Sequence, residues 1–364
     1  MKILTILGAR PQFIKAAAVS RAISDQSGFE EMIIHTGQHY DYNMSSVFFE
    51  QLDIPKPDYN LEISNLSHGA MTARMLEGLE AAIINQKPDC VLVYGDTNST
   101  LAGALAASKL HVPVAHVEAG LRSKNMKMPE EVNRVLTDRV SSILFCPTQT
   151  ATFNLYSEGY PFLDAQEKRQ VVLDVGDVMY DATLYYKDRA MQEVSLEYWS
   201  LTENNYILFT LHREENTNDL CRLESILSAV KEVSREVIVL FPCHPRTKAL
   251  MDKVTNDESN ENFKITEPLP YLEMQRLLMG AQLLMTDSGG MQKEAYFHQV
   301  PCVTLRNETE WQETISTGWN QLVGANKKKI VSAALQAEIP IKKQEQPFGD
   351  GTAAYKIIDE LGNI

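Results

Sequence analysis

The 364-residue sequence predicts an α/β protein whose two halves each build a parallel sheet, with a ligand cleft between them. Three observations predict it. Short apolar runs alternate with longer amphipathic ones from end to end, the pattern of βα units. The chain is too long for one ordinary core and suits two domains. Nearly every unusual polar cluster follows directly after an apolar run, where open α/β sheets gather their ligands.

The strands expected in the first half are Lys2 to Leu7, Glu31 to Thr36, Cys90 to Tyr94, Pro113 to Val117, Ile143 to Cys146 and Val171 to Val175. In the second half they are Tyr206 to Leu211, Glu236 to Phe241, Phe263 to Thr266, Leu283 to Thr286, Pro301 to Leu305 and Gln321 to Val323. Each run is short, apolar and bounded by turn formers. Helices are expected from Pro11 to Ile23, from Ser99 to Leu110 and from Ala151 to Ser157. Another starts at Pro129, since proline suits a first helical position and Glu130 and Glu131 favour the positive end of the helix dipole. The halves divide in the polar stretch Asp174 to Asn205, giving domains over residues 1–172 and 173–349. After Gly349-Asp350-Gly351 helical spacing returns, and residues 350–364 are expected to pack back on the first domain.

A net charge of −14 argues against nucleic acid as the main partner, because phosphate backbones require clustered Lys and Arg. The five cysteines (Cys90, Cys146, Cys221, Cys243 and Cys302) form no CxxC pair and read as buried thiols of a cytoplasmic protein. The apolar stretch at the N-terminus is short for a signal peptide, and no run reaches transmembrane length.

The segment His116 to Arg134, HVEAGLRSKNMKMPEEVNR, gathers three carboxylates and two arginines around one strand-to-helix loop, with Glu118 and Arg122 at the strand's mouth. Such a concentration suits proton chemistry once cations or a substrate offset the repulsion. Asp96, after the strand Cys90 to Tyr94, joins this set or caps a helix, as Ser99 does. His116 and Glu118 share a strand face, but with Asp96 they lack any HxH or HExxH spacing, so acid–base use outranks a metal. Gly8-Ala9-Arg10 stands where a nicotinamide fold would carry GxGxxG, which disfavours that cofactor. Arg10 and Lys15 oppose the dipole of the first helix, and anion binding would explain them.

In the second half Asp287-Ser288-Gly289-Gly290 leads from strand to helix, so backbone N–H groups are open to a phosphate. Glu294, one turn on, is placed to accept from ribose hydroxyls or to serve the dipole alone. His212 follows one strand, His244 with Arg246 the next, and Arg306 with Glu310 a later one. Cations for a diphosphate thus lie in one half and carboxylates in the other. His35, His39, His68, Tyr40, Asp41 and Tyr42 require no chemistry of their own.

GARPQFIK, TGQHYD, GDTNST, HVEAGLR, PEEVNR, LHREEN, CHPR and TDSGGMQKE occur in this order, and with them the chain closely resembles the non-hydrolysing UDP-N-acetylglucosamine 2-epimerases nearly end to end. The resemblance implies two Rossmann-like domains in the glycosyltransferase type B arrangement, a homodimer, and catalysis with no cofactor and no metal. It implies interconversion of UDP-GlcNAc and UDP-ManNAc, by elimination of UDP to 2-acetamidoglucal and its re-addition, for cell-surface polysaccharide precursors. Matching positions imply Asp96, Glu118 and Glu130 as catalytic carboxylates and His212 as an aid at the diphosphate. Arg10 and Lys15 match first-loop cations; Ser288, Gly289, Gly290 and Glu294 match the UDP seat; Arg306 matches an arginine on the sugar-phosphate side. Arg122 and His244 join these as substrate-binding candidates, and Met274 stands where an aromatic often contacts uracil.

The sequence departs from the family pattern in several places. SKNMKM before Pro129 is short, which bears on the sugar pocket, and YDYNMSSV replaces the glutamines that bind an activating second UDP-GlcNAc. Trp311 replaces a common arginine, and Lys293 a common acid. The alternatives are 2-epimerisation of a modified UDP-sugar such as a diacetamido uronic acid, a UDP-sugar glycosyltransferase on the same fold, or a sensor without turnover.

Overall fold

The computed structural model describes residues 1–38, 49, 51–163, 169–254, 260–340 and 346–363. His39, Tyr40, Asp41, Tyr42 and the rest of the YDYNMSSV stretch lie outside them. The chain forms two compact units, Met1–Leu184 with Gln346–Ile364, and Tyr185–Glu345.

The first unit holds a seven-stranded sheet in the order β3-β2-β1-β4-β5-β6-β7. Its strands are β1 (Lys2–Leu7), β2 (Glu30–His35), β3 (Tyr59–Asn60), β4 (Cys90–Tyr94), β5 (Val114–Val117), β6 (Ile143–Cys146) and β7 (Val171–Asp174). The second unit holds six strands in the order β10-β9-β8-β11-β12-β13. These are β8 (Tyr206–Thr210), β9 (Ile238–Pro242), β10 (Phe263–Thr266), β11 (Leu283–Thr286), β12 (Cys302–Thr304) and β13 (Asn320–Leu322). All ladders between named strands are parallel, as expected of an α/β chain. Every residue of β4 and of β8 is buried, as strands covered on both faces require.

Chain order reverses between β1 and β4 in one sheet and between β8 and β11 in the other. Open sheets bind ligands beyond the strand ends at such switch points. The segments there are Gly8 to Arg10 and Gly95-Asp96 in the first unit, and His212-Arg213 and Asp287 to Gly290 in the second.

The twelve expected strands are all present, with ends shifted by at most a few residues. β3 was not anticipated: it has two residues, both exposed, and carries no apolar run. Pro129 opens the helix Pro129–Val140, as its fixed φ favours. The helix Asn98–Lys109 starts one residue before Ser99, and Thr97 caps it by accepting from the Thr100 N–H at 3.3 Å. All five cysteines are free thiols, but Cys221 is exposed, because it sits in the first turn of a surface helix, Leu220–Val233. Burial pushes the thiols of Cys90, Cys146 and Cys302 up to about 12, which leaves them inert.

The helix Ala353–Leu361 lies against Arg10–Asp25, where the Tyr355 hydroxyl donates to Asp25 at 2.7 Å and the Gln26 amide to Asp359 at 3.0 Å. No helix among the described residues is long and apolar enough to cross a membrane.

Candidate active site

In the first unit Glu118 directly follows β5, in a left-handed backbone conformation with φ 72°, uncommon for a residue with a side chain. Its carboxylate is buried and pairs with the Lys15 ammonium at 2.5 Å. Lys15 lies in the second turn of Arg10–Asp25, so the cation that opposed the helix dipole meets its anion inside the chain. Arg10 opens that helix and is half-buried.

Asp96 stands after β4, three-quarters buried, with Oδ2 accepting from Arg134 Nη2 at 2.6 Å. Its backbone carbonyl accepts from the Asn133 amide at 2.8 Å. Arg134 is shared with Glu131 at 2.8 Å. Glu131 also accepts from the N–H groups of Ser123 and Lys124, at 2.9 and 2.7 Å. Burial pushes the Glu131 carboxyl up, but the Ser123, Arg134 and Lys124 hydrogen bonds outweigh it and hold the group below the ordinary glutamate range. Glu131 is thus more than a dipole residue: it ties the short SKNMKM loop to the helix that steadies Asp96. Glu130 occupies the first turn of that helix, partly exposed.

Between the two carboxylates lies Gly95, with φ 62°. A Cβ there would come within 3.1 Å of Lys15 Nζ and 3.4 Å of Glu118 Oε1. Gly95→Ala is therefore expected to lower the unfolding free energy by about 1–2 kcal/mol, the cost of a left-handed residue with a side chain, which urea denaturation would measure.

Arg122 corrects an expectation. It is buried, its Nε and Nη2 donate to Glu158 at 2.7 Å each, and its Nη1 donates to Asp138 at 2.7 Å and to the Leu121 carbonyl at 2.8 Å. With one N–H left over, it is a strut rather than a ligand contact. Among the described residues no group of three His, Cys, Asp or Glu side chains is placed to hold a metal. Both nitrogens of His116 are engaged within the chain, with Asp138 and with the Gly95 carbonyl.

In the second unit the helix Gly289–Phe297 begins after β11 and is capped by Ser288, which accepts from the Met291 N–H at 3.4 Å. Around Gly289, a Cβ would find Trp311 Nε1 at 3.4 Å, Glu310 Oε2 at 3.9 Å and Arg213 Nη2 at 4.0 Å. Open backbone at a helix start beside a guanidinium and an indole suits an anion. Glu294 is buried one turn further in. His212 is exposed at the end of β8, and Asp287 accepts from both the His212 and Arg213 N–H groups at 3.0 Å. His244 follows β9, its Nδ1 accepting from the Arg246 N–H at 3.2 Å.

Arg306 is buried and bound to Glu310 at 2.9 Å, whereas Arg213 lies 3.7 Å from the same carboxylate and keeps part of its surface. Met274, on the helix Tyr271–Gly280, is buried in the core cluster that includes Tyr206, Leu208 and Leu240. Asn133, Arg134, Arg213 and Asp287, not singled out by sequence as candidate site residues, brace those that were. Their signal was adjacency to candidates already chosen, in PEEVNR, LHREEN and TDSGG.

Lys293 and Trp311, two of the departures from the family pattern, meet: the ammonium sits 4.0 Å from the ring centroid, a cation–π contact.

Comparison with known proteins identifies the family. The family model for UDP-N-acetylglucosamine 2-epimerase matches residues 21–362. A UDP-2,3-diacetamido-2,3-dideoxy-D-glucuronate 2-epimerase of Pseudomonas aeruginosa is 51% identical over the full length of both chains. A UDP-N-acetylglucosamine 2-epimerase of Methanocaldococcus jannaschii is 43% identical over 98% of each. The crystal structure of the M. jannaschii enzyme in complex with UDP-GlcNAc and UDP superposes with a TM-score of 0.91 at 42% identity, covering all of both chains. The chain belongs to the UDP-N-acetylglucosamine 2-epimerase family.

Proposed function

We propose that this protein inverts carbon 2 of a UDP-2-acetamido sugar by elimination and re-addition of UDP. A carboxylate removes the proton from carbon 2 as the C1–O bond to UDP breaks, leaving the glycal C1=C2 double bond. Proton return to the opposite face of carbon 2 and attack of UDP at carbon 1 complete the cycle. The observation that carries the reading is the pair of carboxylates, Asp96 and Glu118, at the ends of adjacent strands, each steadied by a cation.

Asp96, Glu118 and Glu130 are the proposed proton-transfer groups, acting on a weakly acidic C–H that needs a placed base. Ser288, Gly289, Gly290, His212 and Arg213 would receive the diphosphate whose charge grows as UDP departs, and Glu294 the ribose. Arg10, at the other switch point, is the remaining candidate cation. The reading carries with it a cytoplasmic homodimer that supplies precursors of cell-surface polysaccharide; five free thiols fit a reducing compartment.

UDP-GlcNAc, converted to UDP-ManNAc, is the substrate to which the motifs point. The 51% identity to an enzyme acting on a UDP-diacetamido-glucuronate favours a second reading, the same inversion on that more substituted sugar. Both sugars are to be incubated with the protein in deuterated water. Solvent label at carbon 2 with formation of the epimer is expected for one of them, and the preferred sugar identifies the substrate. No label with either sugar would sink the reading, and UDP release only when an acceptor is present would point to glycosyl transfer.

A further inference from the structure

His116, near the end of β5, is fully buried. Its Nε2 is 2.7 Å from the Gly95 carbonyl oxygen and its Nδ1 is 2.7 Å from Asp138 Oδ1. A carbonyl only accepts, so Nε2 carries a proton. Asp138 Oδ2 accepts from Arg122 Nη1 at 2.7 Å and from the Gly120 N–H at 3.2 Å. Burial opposes ionisation of Asp138, but His116 and Arg122 outweigh it and hold the carboxyl below the ordinary range. Nδ1 faces the Asp138 carboxylate, so the ring bridges two acceptors, the Gly95 carbonyl and Asp138.

What the ring holds decides its role. The Gly95 N–H donates to the Val117 carbonyl at 2.9 Å. Both peptide groups of Gly95 are thus tied to consecutive residues of β5. Asp96 follows Gly95 just beyond β4, and Glu118 follows Val117 just beyond β5.

We propose that His116 is a positioning residue for proton transfer: its Nε2–H pins the Gly95 carbonyl and so sets Asp96 against Glu118. The proposal rests on the epimerase reading above. Asp138, through Arg122 and the Gly120 N–H, holds the loop after Glu118 in the same frame, and the Asn133 amide holds the Asp96 carbonyl from the other side.

Two substitutions separate the two bonds. Glutamine places an amide nitrogen near the Nε2 position, and so keeps the bond to Gly95 while giving up Asp138. Asparagine places one near Nδ1, and so keeps Asp138 while giving up Gly95. Exchange of deuterium into carbon 2 of the UDP-sugar that the wild-type protein turns over, UDP binding by calorimetry and thermal melting are measured for both variants. His116→Gln is expected to stay within about tenfold of wild-type exchange, the worth of one hydrogen bond. His116→Asn is expected to lose about 10²-fold in kcat, as a misplaced catalytic group does, with KM and UDP affinity unchanged. The opposite order would show that compensating Asp138 is what matters, and would overturn the proposal. So would equal activity in both variants, or loss of the folded state in both. Absence of exchange by the wild-type protein would instead remove the epimerase reading, and the proposal with it.

Discussion

Glu118→Gln is expected to cut epimerisation by about 10²–10⁴-fold, the usual worth of a positioned general acid or base. The substitution keeps the shape of the side chain and removes its charge, and with it the capacity to take a proton from carbon 2. It also leaves the buried Lys15 ammonium facing an amide in place of the carboxylate now 2.5 Å away. Part of any lost activity could then come from lost structure. Glu118→Gln combined with Lys15→Met removes both charges together and so separates the two effects, because breaking a buried pair costs more than replacing it whole. If Glu118 does chemistry, the double variant regains melting temperature and stays inactive. UDP affinity should persist throughout, since the proposed UDP-binding groups stand almost entirely in the second unit. Asp96→Asn and Glu130→Gln are expected to lose epimerisation too, with at least one of the three variants releasing free glycal and UDP. Full activity in all three would end the assignment of the carboxylates.

The strands were legible because burial on both faces leaves continuous apolar runs such as CVLVY and YILFT, which need no knowledge of partners. The candidate sites were legible because the polar residues of an α/β sheet are displaced to strand ends, where they interrupt those runs abruptly. Side-chain pairing was not legible, because it joins residues distant in sequence. Arg122 looks like a ligand cation until Asp138 and Glu158, 16 and 36 residues away, close on it. Lys15 looked the same until Glu118, 103 residues on, supplied its counter-charge. Met274 stands at a uracil-contact position in the family pattern, and its burial in the core of the second unit is not visible from that position. Thr97 rather than Ser99 caps its helix because two hydroxyl residues lie so close that composition does not choose between them. A charged residue at a strand end is evidence for a site. Whether it touches the ligand or braces a neighbour depends on contacts that sequence spacing does not encode.

Asp287→Ala is expected to lower the stability of the second unit by about 2–4 kcal/mol and to weaken UDP binding at least about tenfold, because buried donors left without an acceptor cost about 1–3 kcal/mol each. Asp287 is fully buried at the end of β11. Its carboxylate accepts from the His212 and Arg213 N–H groups at 3.0 Å and from the Asn216 amide at 3.1 Å, and its carbonyl accepts from Arg213 Nε at 3.1 Å. One side chain thus fixes the segment after β8 against the start of Gly289–Phe297, across the point where strand order reverses. Removing it frees that segment, so Arg213 no longer stands beside Gly289. Asparagine is a poor substitute, since one of its two oxygens becomes an N–H that must face the donors already there. Urea denaturation and UDP titration of both variants check the expectation. A stability loss with unchanged UDP affinity would show that the His212-Arg213 segment lies outside the nucleotide site, and would return the diphosphate to the Ser288-Gly290 backbone alone.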